Sequence, residues 1–361
     1  MKKTYKIAVL PGDGVGPEVT AQSVKVLETV SEKYGHDFVF KEGLIGAAAI
    51  VKTKNPLPEE TLELCRRSDA VLFGAVGDPM FDNNPGAKIR PEQGLLKLRK
   101  SLNLFANLRP VKVYPDLMDL SPLKNDRIKH VDLLVVRELT GGIYFGEPRK
   151  RKDGGTTAID TSVYMKSEIE RAAKIAFDLA MRRKKKVTSV DKANVLETSR
   201  LWRKTVGEVA VKYPAVVLTH LFVDNAAMQI IKRPADFDVI LTENMFGDIL
   251  TDEASVIAGS IGLLPSASIG DEYALYEPIH GAFNRAAGKN IANPIGAILS
   301  DAMMLKISFH LQKEASAIEG AVEKFISDGF RTMDIADKNT HRSKILGTGE
   351  TGNKISVYIF N

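Results

Sequence analysis

Apolar and polar positions along this chain change period repeatedly, laying out short apolar runs that alternate with longer amphipathic stretches. Thr4 to Leu10 is a strand-like run that ends in the glycine turn Pro11-Gly-Asp-Gly-Val-Gly-Pro17, and a helix with Pro17 at its first position continues to about Tyr34. Phe38 to Glu42 predicts a strand, the segment after Pro58-Glu-Glu a helix, Ala70 to Phe73 a strand, and Arg90 to Arg99 a helix with its leucines in a core. Arg109 and Arg137 fall at predicted strand ends. From Glu147 to about Thr161 the chain turns polar and glycine-rich, an excursion suited to an arm. A helix from Lys166 to Arg183 leads to a strand whose end presents Lys192, and a strand over Val216 to Val223 ends in Asp224. Phe237 to Leu241 predicts a strand, with a helix carrying Asp248 and Asp252 after it. Gly259 to Ser266 reads as a loop, and Glu277 to Gly281 begins another that ends near Asn293-Pro294. Asn293 caps a helix that Pro294 starts, with an apolar face at Ile298, Ala302, Leu305 and Phe309, and Lys354 to Phe360 closes the chain as helix or strand. This is the rhythm of an α/β protein, and the length suggests two domains. No repeat or low-complexity linker separates them, so chain crossings join them.

Composition narrows the function classes. Apolar content of 44% and charged content of 26% are ordinary for a globular chain of 361 residues. No apolar run is long enough to span a bilayer and no targeting signal is recognisable, so a cytoplasmic protein without a membrane partner is expected. The single cysteine, Cys65, excludes an intramolecular disulfide and reads as a small core residue. The net charge of +5 is concentrated in Arg149 to Lys152 and Arg182 to Lys186, without zinc-finger spacing or RNP aromatics around them. No nucleic-acid partner is expected; a mildly positive field suits an anionic metabolite.

The stretch Thr242-Glu-Asn-Met-Phe-Gly-Asp-Ile-Leu-Thr-Asp252 carries the chemistry. Asp248 and Asp252, four residues apart on a helix, point the same way, and no basic residue is near in sequence to neutralise them. Such hard oxygen ligands suit Mg²⁺ or Mn²⁺, although spacing alone also fits a pair of solvated acids. Gly247 allows a close approach of backbone or ligand. Arg99, Arg109 and Arg137 are side chains suited to gripping carboxylates. Tyr144 follows a double glycine and could donate a proton or simply pack; Lys192 could serve as a base; His280 could be a core residue or a ligand contact. The glycines at 12, 14 and 16 do not make G-x-G-x-x-G, so an orthodox Rossmann site is not indicated, while the turn's amides remain available to a phosphate or ribose.

Taken together, the blocks LPGDGVGPEV, RPEQGLLKLR, NLRP, VRELTGGIYFG, VTSVDKANVLETSRLW, VDNAAM, TENMFGDILTDEAS, GLLPSAS and IANPIGAILS run in order through nearly the whole chain. In them the sequence resembles the isocitrate/isopropylmalate dehydrogenase family of metal-dependent decarboxylating dehydrogenases, its isopropylmalate members above all. The resemblance implies a two-domain α/β fold, not an orthodox Rossmann fold, with residues 1–104 and 259–361 forming a cofactor-binding domain. Residues 105–258 would form a central domain carrying substrate and metal residues, the arm and the dimer interface. It implies a homodimer with shared active sites, Lys192 and Asp224 reaching the neighbour's site. Arg99, Arg109 and Arg137 would hold the carboxylates of a small malate-type substrate, and Asp224, Asp248 and Asp252 would bind Mg²⁺ or Mn²⁺. Lys192 would take the hydroxyl proton and Tyr144 would return a proton to carbon after CO₂ leaves.

Glu92, Leu95 and Leu96 would select the substituent, where similar isocitrate enzymes use Ser and Asn, and Asn194 and Val195 would add substrate contacts. Gly14, Val15, Glu92, His280, Gly281, Arg285 and Asn293 would bind the nucleotide, NAD by family expectation. The chain departs from the family at 280–289, reading HGAFNRAAGK where HGSAPDIAGK is usual. Arg285 thus replaces the acid expected on the adenosine ribose, and NADP use becomes possible.

Overall fold

The computed structural model describes residues 3–82 and 88–361. Among the described residues twelve strands run in chain order: β1 (Thr4–Gly12), β2 (Asp37–Glu42), β3 (Ala70–Ala75), β4 (Ala106–Lys112), β5 (Asp132–Glu138), β6 (Lys150–Lys152), β7 (Thr157–Ile159), β8 (Lys186–Asp191), β9 (Val217–Phe222), β10 (Val239–Thr242), β11 (Pro265–Ile269) and β12 (Ala274–Pro278). The chain divides into two compact units. One holds Met1–Leu104, Tyr114–Leu120 and Gly259–Asn361; the other holds Phe105–Val113 and Ser121–Ala258.

In the first unit the strand order is β2-β1-β3-β12-β11, parallel except for the β11–β12 hairpin. β3 is buried along its whole length, as a parallel strand covered on both faces requires. The helix Gly16–Tyr34 and the helix Ile295–Ile307 pack beside these strands. Ile298, Ala302, Leu305 and Phe309 are all buried, with Phe309 just beyond the end of its helix. Cys65 is buried among Leu10, Leu62 and Leu98, and burial pushes its thiol up to about 12, so it is an inert core residue.

In the second unit the order is β4-β5-β10-β8-β9, antiparallel between β4 and β5 and parallel elsewhere. The helix Asn244–Ile257 follows β10 after one residue, so the acids of that stretch sit just past a strand's C-terminal end, where α/β sheets offer their ligand sites. The polar excursion forms a two-stranded antiparallel ribbon of β6 and β7.

Several elements differ from the sequence expectation for identifiable reasons. The segments read as loops overlap β11 at Pro265 and Ser266 and β12 at Glu277 and Pro278; Pro265-Ser-Ala-Ser has no β-branched run to signal a strand, yet it is fully buried. The helix Gly46–Thr53 carries no local N-terminal signal, since no side chain at Ile45 caps it. Arg109 lies within β4 rather than at its end, and Asp224 lies in the first turn of the helix Val223–Lys232 rather than at the end of β9.

Candidate active site

Asp248 and Asp252, one turn apart on the helix Asn244–Ile257, are not left without counterions. The Arg137 Nη1 donates to Asp248 Oδ1, and Arg109 approaches both acids, with Nη2 3.8 Å from Asp248 Oδ1 and Nη1 3.7 Å from Asp252 Oδ1. Both arginines come from neighbouring strands β4 and β5, more than a hundred residues away in sequence, which is why local charge pattern could not reveal them. Gly247 is needed for this approach: a Cβ there would stand 2.7 Å from Arg137 Cγ, so the close neighbour is that side chain.

The arginines are held as firmly as they hold. Asn244 Oδ1 accepts from Arg137 Nε at 3.1 Å and Nη2 at 2.8 Å, while Arg109 donates to Asn107 Oδ1 at 2.7 Å and to Thr251 Oγ1 at 2.6 Å. Tyr144, at the end of the tight turn Gly142–Tyr144, donates its hydroxyl to Asp248 Oδ2 at 3.0 Å. Desolvation and the Asp248 charge raise its pKa, so the phenol keeps its proton at neutral pH. Partial burial raises the pKa of Asp252 as well, against the pull of Arg109. The cluster thus joins two cations, two carboxylates and one phenolic acid.

Lys192 and Asp224 form a second constellation. Lys192 Nζ donates to Asp224 Oδ1, and that bond lowers the pKa of the exposed Asp224. Asn194 and Val195 lie exposed in the turn after Lys192, which closes through Val195 N to Lys192 O at 2.9 Å. Among the described residues, no three His, Cys, Asp or Glu side chains of one chain gather as a metal site. Two carboxylates do gather, and their side chains are more exposed, at 38% for Asp248 and 69% for Asp252, than those of Arg137 and Arg109 at 5% and 11%. A hard divalent cation, commonly held by one or two carboxylates plus substrate and water, fits that donor set.

Deeper in the same unit lie three acids that sequence reading passed over. Glu138 accepts from Thr140 N at 2.8 Å and Gly141 N at 2.8 Å, and Asp191 takes Arg203 Nε and Nη2, each at 2.9 Å. Glu243 is buried between these charges, and desolvation, then Asp191 and Glu138, push its pKa to about 7.

In the first unit the glycine turn is organised by Asp13. Its carboxylate accepts from Ala47 N at 2.8 Å, Ala48 N at 2.9 Å and Gly77 N at 2.9 Å, capping the helix Gly46–Thr53 from a distance. Burial raises the pKa of Asp13 against these bonds. The turn's own amides are largely engaged: Asp13 N donates to Ala75 O, Val15 N to Ala282 O and Gly16 N to Asp13 O. Three amides of the turn are thus engaged within the protein. A Cβ at Gly14, where φ is +59°, would come 2.0 Å from Ala282 O, so the loop after β12 is pressed onto this turn.

The residues expected around the nucleotide and the substrate side chain also belong to this unit. Val15 packs in a small core with Val19, Ala286 and Ala297. His280 Nδ1 pairs with Gly281 O at 2.9 Å; its Nε2 is buried with no partner, and burial lowers its pKa, so the ring is neutral. Arg285 is exposed, and Gly281 is open enough that a Cβ would meet nothing within 4 Å. Asn293 accepts from Ile295 N at 3.0 Å and donates to Asp334 Oδ2 at 3.0 Å, so both ends of its amide are engaged. Glu92 Oε1 lies beside Gly77. On its helix Leu95 packs against the core and Leu96 is exposed. Arg99 is mostly buried, pairs with Glu277 at 2.6 Å and leaves its Nε without a partner.

The sequence matches the family described as isocitrate/isopropylmalate dehydrogenase over residues 6–355. It is 58% identical over 334 residues to a 3-isopropylmalate dehydrogenase of Halalkalibacterium halodurans, covering 92% of each chain. A 3-isopropylmalate dehydrogenase of Geobacillus kaustophilus is 56% identical, covering 99% of this chain and 96% of that one. Among solved structures, an isocitrate dehydrogenase from Methylococcus capsulatus superposes with a TM-score of 0.87 at 34% identity, over 99% of this chain and 100% of the other. A β-decarboxylating dehydrogenase from Thermococcus kodakarensis gives 0.79 at 37% identity, over 98% and 96%.

Proposed function

The chain belongs to the isocitrate/isopropylmalate dehydrogenase family, and from that premise we propose that it oxidises and decarboxylates (2R,3S)-3-isopropylmalate to 4-methyl-2-oxopentanoate and CO₂, a step of leucine synthesis. The observation that carries the reading is the Arg109–Arg137–Tyr144–Asp248–Asp252 cluster, which unites carboxylate grips, oxygen donors for a cation and a protonated acid. Arg109 and Arg137, with Arg99, hold the two substrate carboxylates; the unpartnered Nε of Arg99 is a donor still to be used. Lys192 accepts the C2 hydroxyl proton; a nicotinamide nucleotide, which His280, Arg285 and Asn293 would hold, would supply the acceptor for the hydride that leaves C2. The bond from C3 to its carboxylate then breaks, releasing CO₂, and the phenol of Tyr144 supplies the proton that C3 takes up. Asp248 and Asp252 would hold Mg²⁺ or Mn²⁺, which would supply Lewis-acid polarisation of the substrate oxygen and offset the negative charge that decarboxylation develops.

Completion of the cation site by Asp224 of a second copy, in a homodimer, is part of the proposal. It is supported by the absence of a three-acid group among the described residues of one chain, and by exposed Met228, Ile231, Ile249 and Val256 on two helices that pack together. A mixture of Lys192→Ala and Asp252→Asn proteins tests sharing: recovered turnover in the mixed dimer supports it, and none at any ratio opposes it. A cytoplasmic location also belongs to the proposal, and an inert buried thiol suits it.

For the nucleotide, the first unit is proposed as the binding domain, with His280 Nε2 as a buried acceptor still unpaired. Arg285, an exposed cation where the family usually has an acid, points to weakened NAD preference or NADP use. Reduction of NAD and NADP with 3-isopropylmalate, 3-methylmalate, malate and isocitrate tests these readings together. Fast turnover of isopropylmalate that EDTA abolishes supports the activity, and none with either nucleotide refutes it. A strong NAD preference unchanged by Arg285→Ala refutes the role of Arg285. The second reading, another 3-alkylmalate as substrate, is favoured by Leu95 and Leu96, since an apolar wall separates neighbouring alkyl sizes by only about 1–3 kcal/mol.

A further inference from the structure

Asn244 has no assigned part in the chemistry, yet its side chain bonds Arg137 and the residue before the turn that carries Tyr144. Its Oδ1 takes Arg137 Nε and Nη2 together, which fixes the plane of the guanidinium and leaves Nη1 directed at Asp248. Its Nδ2 donates to Gly141 O at 3.2 Å, the residue that opens the turn to Tyr144. Its backbone N donates to the hydroxyl of Tyr164 at 2.9 Å. Asn244 is 1% exposed, so no water competes for these bonds.

Tyr164 closes the frame from behind. A Cβ at Gly141 would lie 2.6 Å from its Cε1 and a Cβ at Gly142 2.6 Å from its hydroxyl, so the double glycine lets the ring lie flush against the turn. Gly142 N donates to Val163 O at 2.8 Å, and the Tyr164 ring meets Trp202 edge-on at 5.7 Å. Trp202 Nε1 in turn donates to Ser189 Oγ of β8 at 3.2 Å. An unbroken run of packed and hydrogen-bonded groups therefore reaches from the sheet to both Arg137 and the Tyr144 turn.

We infer that Asn244, backed by Tyr164, is a positioning residue that sets the carboxylate-gripping Arg137 and the proton-donating Tyr144 in one rigid frame. The inference rests on the proposed roles of those two residues. Arginine carries five donors on a flexible stem, and one oxygen that accepts from two of them removes its freedom to turn away from the substrate. A displacement on the order of 1 Å at such a site costs up to about a hundredfold in rate.

The test is steady-state kinetics on Asn244→Ala, Asn244→Asp, Tyr164→Phe, Arg137→Lys and the Asn244→Ala/Arg137→Lys double variant. Asn244→Ala is expected to lower kcat/KM by about ten- to a hundredfold, and Tyr164→Phe by about three- to tenfold in the same direction. Asn244→Asp retains the acceptor for Arg137 and loses the donor to Gly141. It should therefore keep KM near wild type while kcat falls several-fold, a split that general loosening of the fold would not give. In the Arg137→Lys background the KM effect of Asn244→Ala should shrink to within about twofold, because coupled residues are not additive. A folded Asn244→Ala enzyme with wild-type kcat/KM, or an undiminished effect in that background, overturns the inference. If Asn244→Ala does not fold, the Asn244→Asp split decides: a rise in KM equal to the fall in kcat overturns it. An unchanged KM in Arg137→Lys alone overturns instead the assignment of Arg137 to substrate.

Discussion

Asp13 and Asp248 are both carboxylates that follow a strand, and they are answered in opposite ways. Asp13 is buried and satisfied by three backbone N–H groups from two other segments. Asp248 is half-exposed and answered by the side chains of Arg137, Arg109 and Tyr144. The first arrangement is a matter of backbone shape, in which glycines are indispensable and side-chain charge is internal. The second is a matter of charge balance among side chains, which the proposed cation and substrate would share. Stability should therefore be sensitive at the first, and activity at the second.

Asp248→Asn puts that division to its hardest test. Turnover should fall by at least about a thousandfold, equivalent to roughly 4 kcal/mol of barrier, in a protein whose unfolding midpoint is little changed. Loss of folding in place of turnover would erase the contrast. Asp13→Ala should do the reverse and cost on the order of 3 kcal/mol in urea unfolding, since three buried amides lose their acceptor together.

Glu243 sharpens the comparison, being a buried acid with neither solution. Its pKa of about 7 lies above the ordinary value of 4.5, so the folded protein retains a proton that the unfolded chain releases. Its contribution is harmless below about pH 4.5, grows unfavourable as pH rises towards 7, and is constant above that. Glu243→Gln should accordingly gain on the order of 2–3 kcal/mol at pH 8 and nothing at pH 4, measured as unfolding free energy across that range. The smallest effect is expected at Gly281→Ala, within about 0.5 kcal/mol of wild type, because the added methyl meets open space. Gly14→Ala, facing Ala282 O at 2.0 Å, should lose several times more, and equal losses would contradict the backbone reading of that turn.

Legibility followed the same division. Asp248 and Asp252 could be paired from the sequence because helical spacing is local. Their arginines could be named but not placed, since the register of β4 against β5 decides that Arg109 and Arg137 meet these acids. Asn244, Glu277 and Tyr164 gave no signal: a buried polar residue declares itself only through partners brought from distant segments, 107 positions apart for Arg137 and Asn244. The glycine turn is legible as a turn, whereas its occupied amides depend on Ala75 and Ala282.

The hold of Asp13 on Ala47, Ala48 and Gly77 also bears on how the chain is made and rearranged. The start of the helix Gly46–Thr53 is specified by a residue 34 positions earlier, and the two amides of that helix are claimed together with one that has yet to be synthesised. On the ribosome, this junction stays open until Gly77 has emerged. A graft or permutation that parts Asp13 from those loops would carry the helix away without the residue that starts it.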